Sequence, residues 1–255
     1  MKILALAAHP DDIEFMCAGT LILLKDRGHE IAMALVNNGS CGSATLGPQE
    51  IAGIRDGEAR RSAALLGASY DCAGIPDLES VFDNPTRRRI TEIVRKTQPD
   101  IVLTHSPGDY MMDHEIAGLL ARDATFTATL GNYATGAPDP APILRKLPYL
   151  YYFAPMEGVD HFGREVPLEL IVDVTTVMAR KEAMLACHAS QREWLRHEHG
   201  MDEYIEFLRR LCQSIGTRRG AVFGEGFRQH RGHAYPRDDR LAGLLAPLAG
   251  PPRAG

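Results

Sequence analysis

No stretch of this chain stays apolar long enough to cross a membrane, so a transmembrane helix is excluded as an organising element. No CxxC pair is present. The five cysteines, Cys17, Cys41, Cys72, Cys187 and Cys212, are odd in number and widely spaced, which argues against a cysteine-rich zinc module and a disulfide framework. Most are expected to be small buried hydrophobes. Cys41, in a Gly/Ser-rich loop, is the one to check for reactivity. Positive charge is not in excess either. A formal net charge of −5 weighs against a nucleic-acid partner, because such partners usually need a basic face. The Arg87-Arg88-Arg89 cluster fits a solvated helix face. No GxGxxG follows the first apolar run, which sets aside a plain dinucleotide binder, and the segment Gly220–Gly226 comes too late to serve. The first residues lack a secretory pattern, since the apolar run after Lys2 is short and ends in His-Pro-Asp-Asp. The cytoplasm is the expected compartment.

The 255 residues are 45% hydrophobic and 24% charged, ordinary for one soluble domain with a substantial core. The elements alternate. Ile3–Ala8 reads as a buried strand and Phe15–Arg27 as a helix. Glu30–Val36 reads as a strand, followed by a turn-rich loop over Asn37–Ser43. Pro48–Leu66 is helical, with Gly67 as its stop. Tyr70–Ile75 is a short strand, Asn84–Lys96 an amphipathic helix, Asp100–Thr104 a buried strand and His114–Thr129 a helix. This order predicts an α/β fold, Rossmann-like, with a mostly parallel sheet, helices on both faces and a single domain. The second half is less regular. Tyr149–Phe153 and Leu168–Val172 are expected as strands, and Val174–Gln191 and Tyr204–Ser214 as helices. The domain is expected to span residues 1–240, with 241–255 a mobile tail rich in Pro, Gly and Ala.

The chemistry concentrates at His9-Pro10-Asp11-Asp12, where the first strand hands over to the first helix. In open α/β sheets, ligands bind in the crevice beyond the carboxyl ends of the strands. The Asp100–Thr104 strand runs into a second such loop, His105 to His114. His9, Asp12 and His114 would then share one sheet edge. Two imidazoles and a carboxylate with one position open match a catalytic zinc site, although Fe²⁺ and other divalent ions suit the same set. Asp11 is left free to handle a proton, and Asp113 could orient a neighbouring group.

Ala8-His9-Pro10-Asp11-Asp12-Ile13-Glu14, followed by Ala18-Gly19-Thr20-Leu21, resembles the opening signature of the LmbE-like (PIG-L-type) zinc-dependent N-deacetylases. The resemblance continues through Ile54-Arg55, Glu58-Ala59, Leu66-Gly67, Pro76-Asp77, Asp113-His114, His188-Ala189-Ser190-Gln191 and Phe223-Gly224-Glu225-Gly226-Phe227-Arg228. It implies a Rossmann-like fold and a zinc-dependent hydrolase that removes an N-acyl group, usually acetyl, from an amino sugar or glycoconjugate. It implies that His9, Asp12 and His114 bind Zn²⁺ and that Asp11 is the general base toward water at the metal. It places Arg55 and Asp77 in the substrate pocket and Asp113 behind the ligands.

One departure stands out. The family's second motif commonly reads His-Pro-Asp-His, whereas this chain has Met111-Met112-Asp113-His114. A thioether neither donates a proton nor carries charge, and losing one oxyanion stabiliser typically slows a reaction ~10²–10³-fold. Met111 is expected to line the substrate pocket. Tyr110, His105, His188, His230 and His233 are candidates to replace the missing imidazole, the last two from this chain or a neighbouring copy. Self-association is left open. Tyr149–Phe153 could offer a face to a sugar ring but reads better as a strand, and nothing in the sequence places Trp194 at the mouth of the site. Two alternatives follow from Met111. One is an amidase acting on a larger acyl or thiol conjugate. The other is a sugar-binding pseudoenzyme, against which the intact Asp11 argues.

Overall fold

The computed structural model describes residues 1–192 and 203–253. Its centre is an eight-stranded sheet in the order β3-β2-β1-β4-β5-β7-β6-β8. The strands are β1 (Lys2–Ala7), β2 (Glu30–Asn37), β3 (Ser69–Ile75), β4 (Ile101–Thr104), β5 (Tyr149–Phe153), β6 (Leu170–Asp173), β7 (Gly224–Gln229) and β8 (Ala249–Gly250). The first five pair in parallel. Beyond β5 every pairing is antiparallel. The mostly parallel, Rossmann-like α/β expectation holds.

Alternation along the central strands explains the layers. Successive strand residues point to opposite faces, and here both faces are apolar. Ile3, Ala5 and Ala7 enter one core, while Leu4, Leu6 and Ala8 enter the other. Buried on both sides, such strands read as continuous apolar runs. One face is covered by α1 (Asp12–Met16), α2 (Ala18–Asp26), α3 (Pro48–Leu66), α6 (Met178–Leu185), α7 (Glu203–Thr217) and α8 (Arg240–Leu245), and the other by α4 (Asn84–Thr97) and α5 (Met112–Thr127). Helix α3 has the expected bounds: Pro48 opens it, and Gly67 ends it in the left-handed region at φ 66°. In α4 the Asp83 carboxylate caps the first turn by accepting the Thr86 N–H at 2.9 Å.

Four expectations need correction. The helix after β1 is broken at Cys17 (φ −146°), so a short α1 carries Asp12 and a separate α2 follows. The break is stabilised from a distance, since Glu225 on β7 accepts the Gly19 and Thr20 N–H groups at the start of α2, where a carboxylate is favoured. The segment 174–191 is not one helix. A 3₁₀ turn (Thr175–Val177) precedes α6, which ends at Leu185, and helix resumes at 189–192 after a break over 186–188. β7 went unread because its Gly-Glu-Gly-Phe-Arg-Gln composition is poor in strand formers. Its glycines admit close neighbours instead: a Cβ on Gly226 would meet Leu168 at 2.4 Å. Finally, 241–253 is not a loose tail. Leu241 and Leu245 are fully buried, and β8 pairs with β6. Trp194 lies outside the described residues. Among the described residues, no helix is long and apolar enough to cross a membrane.

Candidate metal centre and active site

The loops after β1 and β4 meet at the carboxyl edge of the parallel strands. They bring His9, Asp12 and His114 together, with ligand atoms all within 4.8 Å of one another. Each is buried, at 7, 4 and 3% exposure. His9 Nδ1 lies 3.6 Å from Asp12 Oδ2, and His114 Nε2 lies 3.4 Å from Asp12 Oδ1. The outward nitrogens are engaged by carboxylates. His9 Nε2–H donates to Asp113 Oδ2 at 3.0 Å, and His114 Nδ1–H donates to Asp109 Oδ1 at 2.9 Å. Each bond orients the ring so that its opposite nitrogen faces Asp12. Outer carboxylates orient metal-bound histidines in this way.

The electrostatics agree with a cation site. Burial alone would lower the pKa of His9. The hydrogen bonds to Asp113 and Asp12 outweigh burial and push it up to about 9. Burial is likewise overcome at His114 by Asp12 and Asp109, and the value rises to about 10. Burial would raise Asp12, but His114 and His105 hold its carboxyl well below the usual range. The surrounding carboxylates thus favour positive charge at this point, which a divalent cation can supply. The donor set, burial and outer hydrogen bonds all fit a metal ion. A second cluster, His105–Asp109–His114, also converges. There, however, Asp109 is hydrogen-bonded to His114, and the Ala8 N–H donates to His105 Nε2 at 3.0 Å.

Asp11 stands beside this centre. Its backbone sits at φ 110°, a conformation that strains any residue other than glycine. Its Oδ2 accepts the Tyr204 hydroxyl at 2.6 Å and Arg55 Nη2 at 3.4 Å, and its Oδ1 has no partner among the described residues. Burial raises its pKa, opposed by Arg55 and reinforced by the nearby Asp12. Arg55 also donates to the Pro10 carbonyl at 2.6 Å. The loop after β2 passes directly over this guanidinium: Gly39 (φ 80°) has no room for a Cβ, which would meet Arg55 at 2.7 Å.

A cavity of about 350 Å³ opens onto this group, and Arg55, Asp77, Tyr110 and Met111 all line it with His9, Asp11, Asp12 and His114. Asp77 is engaged rather than free. Its two oxygens accept the Gly39 and Cys41 N–H groups at 2.8 and 3.0 Å, so it shapes the wall. Asp113 is not the cap of α5, because that position is Met111; Asp113 sits in the first turn and also accepts the Leu78 N–H at 2.8 Å. His188 lies outside the cavity lining and is fully buried. Its Nε2 is 3.2 Å from Glu14 Oε1, and among the described residues neither ring nitrogen has a hydrogen-bond partner. Burial would lower its pKa, yet Glu14 raises it. Of the candidates to replace the absent imidazole, only Tyr110 lines the cavity, with its ring edge-on to His114 at 5.4 Å. His105 is stacked behind His114 at 4.2 Å. His230 contacts Tyr152 and Tyr235 in the other layer, and His233 is exposed. Cys41 is exposed and borders the cavity, whereas only Cys17 and Cys212 are fully buried.

Sequence reasoning missed several residues. Asp109 precedes His114 by five residues in the same loop, and that spacing was a usable signal. Glu14 lies in the first motif, but its partner Ser62, which donates to it, comes from α3. Glu58 accepts the N–H and hydroxyl of Ser190, which holds Gln191 where it donates to the Gly42 carbonyl at 2.8 Å. Two separate sequence blocks meet there. Tyr204 on α7 carried no signal at all.

The family described as PIG-L, GlcNAc-PI de-N-acetylase, matches residues 4–125. A 4-oxalmesaconate hydratase of Pseudomonas putida is 29% identical over 237 residues, covering 88% of this chain and 86% of its own. A diacetylchitobiose deacetylase of Thermococcus kodakarensis is 27% identical over 237 residues, 89% of this chain and 82% of that one. Among solved structures, the N,N'-diacetylchitobiose deacetylase of Pyrococcus horikoshii in complex with an inhibitor has a TM-score of 0.76 at 27% identity, over 93% of this chain and 88% of that chain. These matches agree with the motifs brought together at the sheet edge: over residues 4–125 the chain is similar to the PIG-L (LmbE-like) family.

Proposed function

We propose that the protein is a zinc-dependent N-deacetylase that hydrolyses the acetamide of an amino sugar or a small glycoconjugate. The observation that carries the reading is a carboxylate of raised pKa, Asp11, one residue away from a buried His9–Asp12–His114 set. Zn²⁺ suits two imidazoles and a carboxylate, and when bound it would polarise the amide carbonyl and acidify water. Asp11 then takes a proton from the water whose oxygen bonds to the carbonyl carbon. As the C–N bond breaks, Asp11 returns that proton to the departing nitrogen, giving a free amine and acetate. A base is most useful when its pKa lies near the working pH, and burial moves Asp11 in that direction. Tyr204 and Arg55 orient it through Oδ2 and leave Oδ1 without a partner among the described residues. With methionine at position 111, the Tyr110 hydroxyl is the neighbouring proton donor on that wall for the oxyanion.

The hydratase relative suggests a different substrate for a related centre. A polycarboxylate of the kind named there would face Asp11 and Asp12, with Arg55 the only Arg or Lys among the described residues lining the cavity. A neutral amide fits this wall better. The test is acetate release from N-acetylglucosamine and its simple conjugates, with metal content measured in the same sample. Release abolished by a chelator and restored by Zn²⁺ is expected. Tightly bound metal with no release, together with water addition to an unsaturated polycarboxylate, would overturn the reading.

A further inference from the structure

A second chamber of about 480 Å³ adjoins the metal cavity, and the two share Phe15, Tyr110 and Met156 as common walls. Its remaining lining differs in character. Val159 and Phe207 extend the apolar surface, and Phe15 packs edge-on against Tyr204 and Phe207 at 5.1 and 5.9 Å. The Tyr204 hydroxyl is engaged by Asp11. Among the described residues, the only charged side chains on the lining are two carboxylates, Glu157 and Glu203. A second sugar ring would bring several hydroxyls that need partners, and the chamber offers few. An anionic substituent would meet the two carboxylates. An uncharged hydrocarbon group would cover apolar wall at little desolvation cost.

Resting on the deacetylase reading, we propose that this annex binds an uncharged apolar substituent of the amino-sugar substrate, alkyl or aromatic, and selects such conjugates over anionic ones and over oligosaccharides. The substituent could be joined through the glycosidic oxygen or through the acyl carbonyl, and two substrate series separate these sources. One series is the methyl, butyl, hexyl and octyl β-glycosides of N-acetylglucosamine. The other is glucosamine N-acylated with acetyl, butanoyl, hexanoyl and octanoyl groups. Measured on zinc-loaded protein, kcat/KM is expected to climb roughly two- to fourfold per added methylene in one of the series, with the 1-phosphate of N-acetylglucosamine and N,N'-diacetylchitobiose below the hexyl compound. Val159→Asp places a carboxylate in the annex and is expected to collapse the octyl-to-methyl ratio at least about tenfold. Phe207→Ala is expected to reduce the ratio as well.

Flat profiles in both series, with the methyl glycoside still turned over, would overturn the annex and leave the deacetylase reading intact. So would a clear preference for diacetylchitobiose or the phosphate. Calorimetric binding of hexyl and methyl β-glucosaminide, which have no amide to cut, tests the annex independently of turnover. Tighter hexyl binding that Val159→Asp removes, with no amide cleaved in any series, would support the annex and sink the deacetylase assignment. Equal binding of the two, with no length dependence of turnover, overturns the annex.

Discussion

Asp11 and Asp12 are consecutive residues at the start of α1, yet their side chains meet different surroundings. Asp12 sits among His9, His105 and His114, and the His114 and His105 imidazoles overcome burial and hold its carboxyl well below the usual range. Asp11 sits against Phe15's neighbour Tyr204 and the Arg55 guanidinium, and there burial wins and raises it. One wall is a polar lattice in which each metal-facing imidazole has a carboxylate behind it. The other is largely apolar, with a single carboxylate held by one hydroxyl and one guanidinium. The contrast shows how identical side chains acquire different character: a carboxylate among imidazoles is held ionised, and one buried beside a single guanidinium is pushed toward its protonated form.

The largest expected effect comes from breaking that division directly. Asp11→Asn is expected to lower kcat ~10²–10⁴-fold while metal content stays at the wild-type level. His114→Ala is expected to lose both. Near wild-type turnover in the Asn variant would remove Asp11 from its role.

A smaller effect is expected from the supports of the polar wall. Asp109→Ala is expected to weaken zinc binding ~10–100-fold, read by competition with a chromogenic chelator. Affinity also depends on pH here. In the metal-free protein His9 and His114 titrate at about 9 and about 10, against an ordinary value of 6.5. Because these values are raised, both rings hold protons at neutral pH, and zinc must displace them. Affinity should therefore rise with pH up to about 9 to 10, as the cited values direct. The stabilisation that protonation gives the metal-free fold is complete below 6.5 and is lost over the same window, so its Tm should fall as zinc binding strengthens. Zinc affinity that does not change with pH would contradict the carboxylate field described here.

The smallest effect belongs to the apolar wall. The Tyr204 hydroxyl favours the charged form of Asp11. Tyr204→Phe should raise the pKa of Asp11 further and move the acid limb of the kcat/KM profile to higher pH. Loss of one such bond corresponds to roughly two- to tenfold lower activity on the acid side, converging with wild type at higher pH. A uniform loss at every pH would indicate a packing role only.

These residues also mark where the sequence was informative. His9, Asp11 and Asp12 were legible because a buried apolar run followed at once by charged residues can be little else than a strand ending at a functional edge. His114 was legible for the same reason at β4. Asp77 was placed at the cavity, but its role as a loop clasp depends on the backbone of Gly39 and Cys41, and no local pattern shows that. Tyr204 reaches Asp11 across 193 positions of sequence, and a tyrosine on an amphipathic helix looks like any other core residue.

Local sequence by itself determined the alternating elements, the layering of β1, β2 and β4, and the residue types offered to the metal, because strand periodicity and turn chemistry act over a few residues. Tertiary structure alone decided the break between α1 and α2 through Glu225, the incorporation of 241–250 into the fold, the outer partner of each ligand histidine, and the opposite characters of Asp11 and Asp12. Those outcomes depend on which charges and rings are packed within a few ångströms. Only folding brings together groups that lie far apart along the chain.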